Sequence, residues 1–428
     1  MRYLIIGNCA AGIHAVEAIR SVDKERGITI VSDEDCSSYC RCLLSYYLAG
    51  THREEDLLLR PNNFYEKMRI GPFFGKKVAS VDATKKEVAL QDGEKIGFDR
   101  LLIATGSFAK SLGVEGEDKK GVFKFRTIKD AKEILEIAKE VKKAVVLGGG
   151  LIGLKAAYGL KQRGLDVTVI VKSDQIMSRV IDRDAAEIIR THLEQNGLKI
   201  RTGLGATKIL GKQKVEGLIL DNGEEVECGI IIVGKGVSAN LGLVKTTEIK
   251  THLGIIVDDH MRTNVDGVHA AGDCAQTYDL ASEESTINAL WTAASEQGRI
   301  AGFNMAGQDR IYDGSIAENS IEFFGLPIVS LGVSRPKGEG YEEIVKSYPQ
   351  KLLYKKLVLK EDRLVGAILV GRFENAGVIL SLIKEKVDVS KVKDLILEDW
   401  FGYGRVKDLI PEKAEVMARA VSIDGRRL

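Results

Sequence analysis

The chain has 428 residues, 44% of them apolar, enough for two or three domains with buried cores. Its 62 lysines and arginines against 61 acids leave a formal charge of +1, which excludes a globally basic nucleic-acid binder and a strongly acidic chain. Forty-five glycines beside six prolines point to tight backbone approaches on regular elements, and no run nears the about 18 apolar residues of a membrane span.

Residues 3–6 form an apolar strand that runs into Gly7-Asn8-Cys9-Ala10-Ala11-Gly12. Glu17 and Arg20 then follow at helical spacing, so a strand and an amphipathic helix are expected here, not a secretory leader. Ile28-Thr29-Ile30-Val31 is a second strand, closed by Ser32-Asp33-Glu34. A hairpin turn at Asp92-Gly93 precedes the returning strand 101–103 and Ala104-Thr105-Gly106.

The pattern then begins again. Residues 144–147 run into Gly148-Gly149-Gly150-Leu151-Ile152-Gly153, and 167–170 into Val171-Lys172-Ser173. A helix is expected over 185–195, a hairpin at Asn222-Gly223, and a returning strand at 230–233 before Gly234-Lys235-Gly236. Gly7 and Gly12 recur at Gly148 and Gly153 with one common offset, and Gly93 and Gly106 recur at Gly223 and Gly236 with another. Two α/β nucleotide-binding units in one chain account for this repeat.

Beyond Gly236 the chain passes through 254–258 to Val268-His269-Ala270-Ala271-Gly272-Asp273, and a helix is expected over about 285–306. From about 311 the character changes. A hairpin of 352–360 with 364–371 is expected, then helices at about 375–386 and 411–421.

A glycine turn between strand and helix suits a pyrophosphate. The first glycine makes the turn, the second lets backbone approach the phosphates, and the third lets helix pack on strand, with the helix N-terminus facing the anion. The 148–153 copy is complete, whereas the 7–12 copy has Cys9 at the second glycine. After the second strand of the first unit, Asp33 or Glu34 can accept a bond from an adenosine ribose; the second unit has no acid there. Lys172 can pair with a 2′-phosphate, or it is a solvated strand-end lysine.

These residues resemble the FAD-dependent pyridine nucleotide–disulfide oxidoreductases, and within them the branch of NADH oxidases, coenzyme A–disulfide reductases, NADH:rubredoxin reductases and the flavin part of nitrite reductases. The resemblance implies an FAD pyrophosphate site at Gly7, Cys9, Ala10, Ala11 and Gly12, and a strand-loop signature at Ala104, Thr105 and Gly106. It implies a second FAD fingerprint over 263–273, where Gly272 precedes Asp273, the residue that would bond the ribityl chain. Gly148, Gly150, Ile152 and Gly153, with Gly236 beyond, would hold NAD(P)H, and Lys172 makes NADPH a plausible form. The family's activity is hydride transfer from nicotinamide C4 to flavin N5.

Within Ser38-Tyr39-Cys40-Arg41-Cys42, the resemblance aligns Cys42 with a redox thiol beside the flavin, while Arg41 matches the rubredoxin and ferredoxin reductases. An inert packed thiol is the other reading of Cys42. The spacing of Cys36, Cys40 and Cys42 is not a standard zinc pattern, and no metal is expected. The C-x4-C pair of glutathione and lipoamide reductases is absent, and no histidine lies beyond His269. Lys155 stands where the family usually has an acid, and the segment after Gly236 lacks the usual Arg-Pro.

The expected fold class is α/β, with two Rossmann-like domains for FAD and NAD(P) and a smaller α+β C-terminal domain. The expected boundaries are 1–112 and 240–310 for FAD, 113–239 for NAD(P), and 311–428 for dimerisation or partner docking. The expected function is a cytoplasmic, homodimeric FAD-dependent NAD(P)H:acceptor oxidoreductase. Its acceptor would be a redox protein of rubredoxin or ferredoxin type, without nucleic acid or a membrane span. The alternatives are an NADH oxidase or coenzyme A–disulfide reductase using Cys42, and an electron-transfer subunit of a larger complex. In that last case the 395–428 tail with Trp400 and Tyr403 would dock a partner or pack as core.

Overall fold

A computed structural model of the chain describes residues 1–407 and 409. Residues 1–317 make one compact unit, and a second begins at Glu318. The first unit contains two parallel five-stranded sheets built to the same plan. In one, the strand order is 268–270, 100–103, 3–6, 28–31, 70–73, every neighbour parallel. In the other it is 199–202, 166–171, 143–147, 230–233, 122–123, again all parallel. Tyr3–Ile6 and Ile230–Val233 are buried at every position, as strands covered on both faces must be.

Each parallel sheet has an antiparallel companion of three strands, at 78–97 in the first half and 206–227 in the second. The halves are joined where Ser107–Ala109 pairs antiparallel with Val237–Ala239. The sheets differ in one edge strand. In the second it comes from 122–123, before the glycine turn; in the first from 268–270, after the whole second sheet.

Helix Ala10–Val22 packs closely on helix Trp291–Met305, because Gly298 and Gly302 present bare backbone one turn apart. A Cβ on Gly298 would stand 2.1 Å from the Ala11 carbonyl oxygen, and one on Gly302 2.4 Å from that of Ala15. The later helix starts at Trp291 instead of the expected 285, since Ser285–Thr286 pairs with 277–278. Asn288 Nδ2 donates to Asp279 (2.6 Å) and Ser315 (2.9 Å), which holds that stretch extended. The helix expected over 185–195 runs Arg183–Gln195, with Asp182 capping the Ala185 N–H at 3.1 Å.

The second unit is a five-stranded antiparallel sheet, in the order 318–323, 326–332, 363–370, 353–360, 341–348, with helix Ala376–Lys384. In the tail Phe401 is buried, while Trp400 and Tyr403 are exposed. The expected helix at 411–421 lies outside the described residues. No helix among the described residues is long and apolar enough to cross a membrane.

Candidate dinucleotide and redox site

Each parallel sheet carries a glycine turn at the C-terminal end of its central strand. Gly7 (φ +124°) and Gly148 (φ +128°) adopt angles that disfavour a side chain, and a Cβ would collide with the Ala104 carbonyl oxygen at 2.1 Å or that of Gly234 at 2.3 Å. A Cβ on Gly12 would lie 2.0 Å from the Gly7 oxygen, and one on Gly153 2.2 Å from the Gly148 oxygen. The turns therefore need their outer glycines for packing within the chain.

The middle position is different. Gly150 is the N-cap of helix Leu151–Gln162, and a Cβ there would meet nothing within 4 Å. Its counterpart Cys9 is the N-cap of helix Ala10–Val22. Neither helix has a side-chain cap, so no N-cap side chain occupies their first N–H groups, the arrangement an anion site requires. An open middle position before an uncapped helix fits a pyrophosphate at the second turn, and the first turn repeats its backbone with the small, half-buried Cys9 in that place.

Around the first turn the sequence-predicted residues converge. Gly272 (φ +81°) abuts Ala11, a Cβ there lying 3.2 Å from the Ala11 Cβ, and its N–H donates to Gln297 at 2.8 Å. Asp273 accepts from Ser107 Oγ at 2.6 Å, and Arg126 Nη2 reaches the same oxygen at 3.4 Å. Arg126 also donates to Ser107 Oγ at 2.8 Å. Thr105 Oγ1 donates to the Asn240 carbonyl at 3.0 Å, and Asn240 N–H to that of Gly106 at 2.9 Å, tying the 104–106 loop to the returning chain.

Of the two candidate acids, Asp33 is exposed, whereas Glu34 is engaged by Tyr39 Oη at 2.5 Å and by an ion pair with Arg41. Arg41 Nη1 also donates to Tyr39 Oη (3.2 Å) and the Arg126 carbonyl (2.7 Å), and the guanidinium reaches the Cys9 thiol. Cys42 is exposed and lies within electrostatic range of Cys9 and Asp273. Cys228 and Cys274 are buried in cores, and burial pushes the Cys228 thiol up to about 12.

At the second turn Ile152 is exposed in the first helical turn, an apolar side chain left facing solvent at 57%. Lys172 is exposed at the end of strand Asp166–Val171 beside Gly205, and Gly236 (φ +83°) is exposed near the Arg179 guanidinium. Met177 N–H donates to the Gly149 carbonyl at 2.7 Å, closing the following loop over the turn. Buried Lys155 joins the two halves: its Nζ donates to Tyr46 Oη at 3.1 Å and sits 4.3 Å above the Tyr46 ring. Tyr46 belongs to helix Leu44–Ala49, directly after Cys42.

Sequence reasoning missed Ser107, Tyr39, Arg126, Gln297 and Gly298. Only Gly298 left a signal, in its four-residue spacing from Gly302.

The family model for pyridine nucleotide-disulphide oxidoreductases matches residues 1–298, and that for the rubredoxin NAD+ reductase C-terminal domain matches 318–387. The chain is 33% identical over 396 residues to the nitrite reductase [NAD(P)H] of Bacillus subtilis, covering 92% of this chain but 48% of that protein. It is 33% identical over 394 residues to the rubredoxin-NAD(+) reductase of Ectopseudomonas oleovorans, covering 90% and 99%. The structure of a NAD-dependent persulfide reductase from A. fulgidus superposes with a TM-score of 0.85 at 28% identity, covering 92% of this chain and 79% of that one. The chain thus spans about half the length of the first of these relatives.

Proposed function

The chain belongs to the pyridine nucleotide-disulphide oxidoreductase family, and from that premise we propose that it is an FAD-dependent NAD(P)H oxidoreductase that passes electrons to a redox protein of rubredoxin or ferredoxin type. The observation that carries this is the pair of helix N-termini without a side-chain cap on two sheets of one plan, with open space at Gly150 before the second. The proposed division is FAD to 1–112 and 240–310, NAD(P) to 113–239, and a dimerisation or docking role to 311–428.

When bound, the two dinucleotides supply hydride transfer between nicotinamide C4 and flavin N5. The protein's part is to bind and orient. The amides of Ala10 and Ala11 would hold one pyrophosphate, and Asp33, outside the Arg41 pair that occupies Glu34, would accept from a ribose hydroxyl. Asp273 is oriented by Ser107 and Arg126 so that its second oxygen can accept from a sugar-chain hydroxyl. The Gly148–Gly153 turn would hold the other pyrophosphate, exposed Ile152 would offer the bound dinucleotide an apolar face, and Lys172 would favour a 2′-phosphate by a charge-assisted contact.

The acceptor reading is supported by Arg41 and by the match of 318–387 to a rubredoxin reductase domain. A screen of FAD-loaded protein with NADPH and NADH tests it, with rubredoxin and ferredoxin assayed anaerobically and oxygen consumption assayed separately in aerated buffer. Rubredoxin or ferredoxin reduction well above reduction of oxygen is the expected result. Reduction of neither protein, with fast oxygen consumption, would transfer the function to the oxidase reading.

A further inference from the structure

The antiparallel sheet of the second unit ends on one side in strand Tyr341–Tyr348. Its inner edge pairs with 353–360 in one unbroken register, from Tyr341 opposite Lys360 to Tyr348 opposite Leu353. Its outer edge meets no backbone partner among the described residues. A free edge is a template for another strand, and folded proteins blunt it with prolines, bulges or short strands. This strand has eight residues, no proline and no bulge against its neighbour. Val345 (45% exposed) and Tyr348 (50%) stand on it in solvent.

The charges on the strand discriminate among partners. Glu342 and Glu343 lie in its first half and Lys346 in its second. Side chains alternate faces along a strand and opposed side chains share a face, so the two-fold axis of a symmetric antiparallel pair passes through a residue, not between two. An axis through Glu342, Glu343 or Lys346 sets like charges opposite each other, which destabilises the pair. An axis through Val345 leaves Glu342 opposite Tyr348 and Lys346 opposite Ile344. An axis through Ile344 places Glu342 opposite Lys346 of the second copy, and Lys346 opposite its Glu342, with the two Ile344 residues meeting between them.

The surroundings of these two residues extend the match. Within one chain Lys393 Nζ donates to Glu342 at 2.7 Å, and Lys346 Nζ donates to Glu398 at 2.6 Å. Across a joint centred on Ile344, the row Glu398, Lys346, Glu342, Lys393 alternates in sign. A charged edge that repels an unrelated strand is thus complementary to a copy of itself.

We propose that the outer edge of 341–348 is the interface of a homodimer, in which two copies pair antiparallel about Ile344 and their five-stranded sheets become one continuous sheet. The proposal rests on the dimerisation role given above to 311–428 and names its surface. It does not depend on the oxidoreductase reading.

The test is the mass of the whole FAD-loaded chain, measured by light scattering after gel filtration. The wild type is expected at twice the 46.8 kDa of one chain. Glu342→Lys and Lys346→Glu each set like charges opposite at both ends of the joint, so each variant alone should run as a monomer. Mixed in equal amounts, the two variants oppose lysine to glutamate at both ends, and the dimer should return, which a variant that had lost its fold could not bring about. Variants that stay dimeric, or a mixture that stays monomeric, would overturn the edge-strand interface while leaving the dimerisation role of 311–428 standing. A monomeric wild type would remove both. NAD(P)H:dye reduction is read on the same wild-type fraction, and its absence in a dimer would count against the oxidoreductase reading alone.

Discussion

His269 gives the first unit a pH-dependent weakness that can be worked out in advance. Its side chain is 4% exposed in the edge strand Val268–Ala270, and neither ring nitrogen has a hydrogen-bond partner among the described residues. Burial, reinforced by Arg100 and Arg262, pushes its pKa down to about 4. In the unfolded chain the value is about 6.5. Above pH 6.5 the ring is neutral in both states and contributes nothing to pH dependence. As pH falls through 6.5 the unfolded chain takes up a proton that the folded one refuses, so stability declines until pH 4. The full loss is about 3 kcal/mol, of which about 2 kcal/mol is present at pH 5. His269→Phe removes the titration while keeping a buried ring. Thermal unfolding with saturating FAD, at one scan rate, should show the Tm of the variant gaining on wild type between pH 8 and pH 5 by about 4 °C. An equal Tm difference at both pH values would refute the reasoning.

Three further outcomes follow from the site. Asp273→Ala should purify with sharply reduced FAD, read as the ratio of flavin absorbance to protein; full occupancy would remove Asp273 from the binding set. Lys172→Glu should shift the NADPH/NADH ratio of kcat/KM at least tenfold toward NADH, a change of about 1.4 kcal/mol, and an unchanged ratio would make Lys172 a solvated surface lysine. Gly298→Ala forces a methyl against the Ala11 carbonyl and should cost about 1–3 kcal/mol, lowering Tm and flavin retention together. The control Gly27→Ala, where a Cβ meets nothing within 4 Å, should leave both unchanged.

The repeat was legible in sequence because backbone geometry demands particular residues at particular places. Gly7, Gly12, Gly148 and Gly153 are forced by carbonyl oxygens about 2 Å from any Cβ, so the same spacing had to appear twice. Parallel strands buried on both faces likewise show as unbroken apolar runs. The side-chain network was not legible. Ser107, Arg126 and Tyr39 act through contacts spanning up to 166 residues of sequence, and a serine or arginine has no local pattern that announces such a partner. Which of Asp33 and Glu34 Arg41 engages was equally closed to sequence, since the pairing depends on how the loop folds back.

The edge strand that distinguishes the two sheets bears on how the chain acquires its form during synthesis. The second sheet draws all its strands from 122–233, so it can close once that stretch has left the ribosome. The first must hold a gap beside strand 100–103 until 268–270 arrives, with Asp273 three residues behind. The nascent chain therefore passes through a period in which one half is complete and the other offers an unsatisfied strand edge. If Asp273 holds the flavin as proposed, flavin capture would wait for translation of the segment after 240.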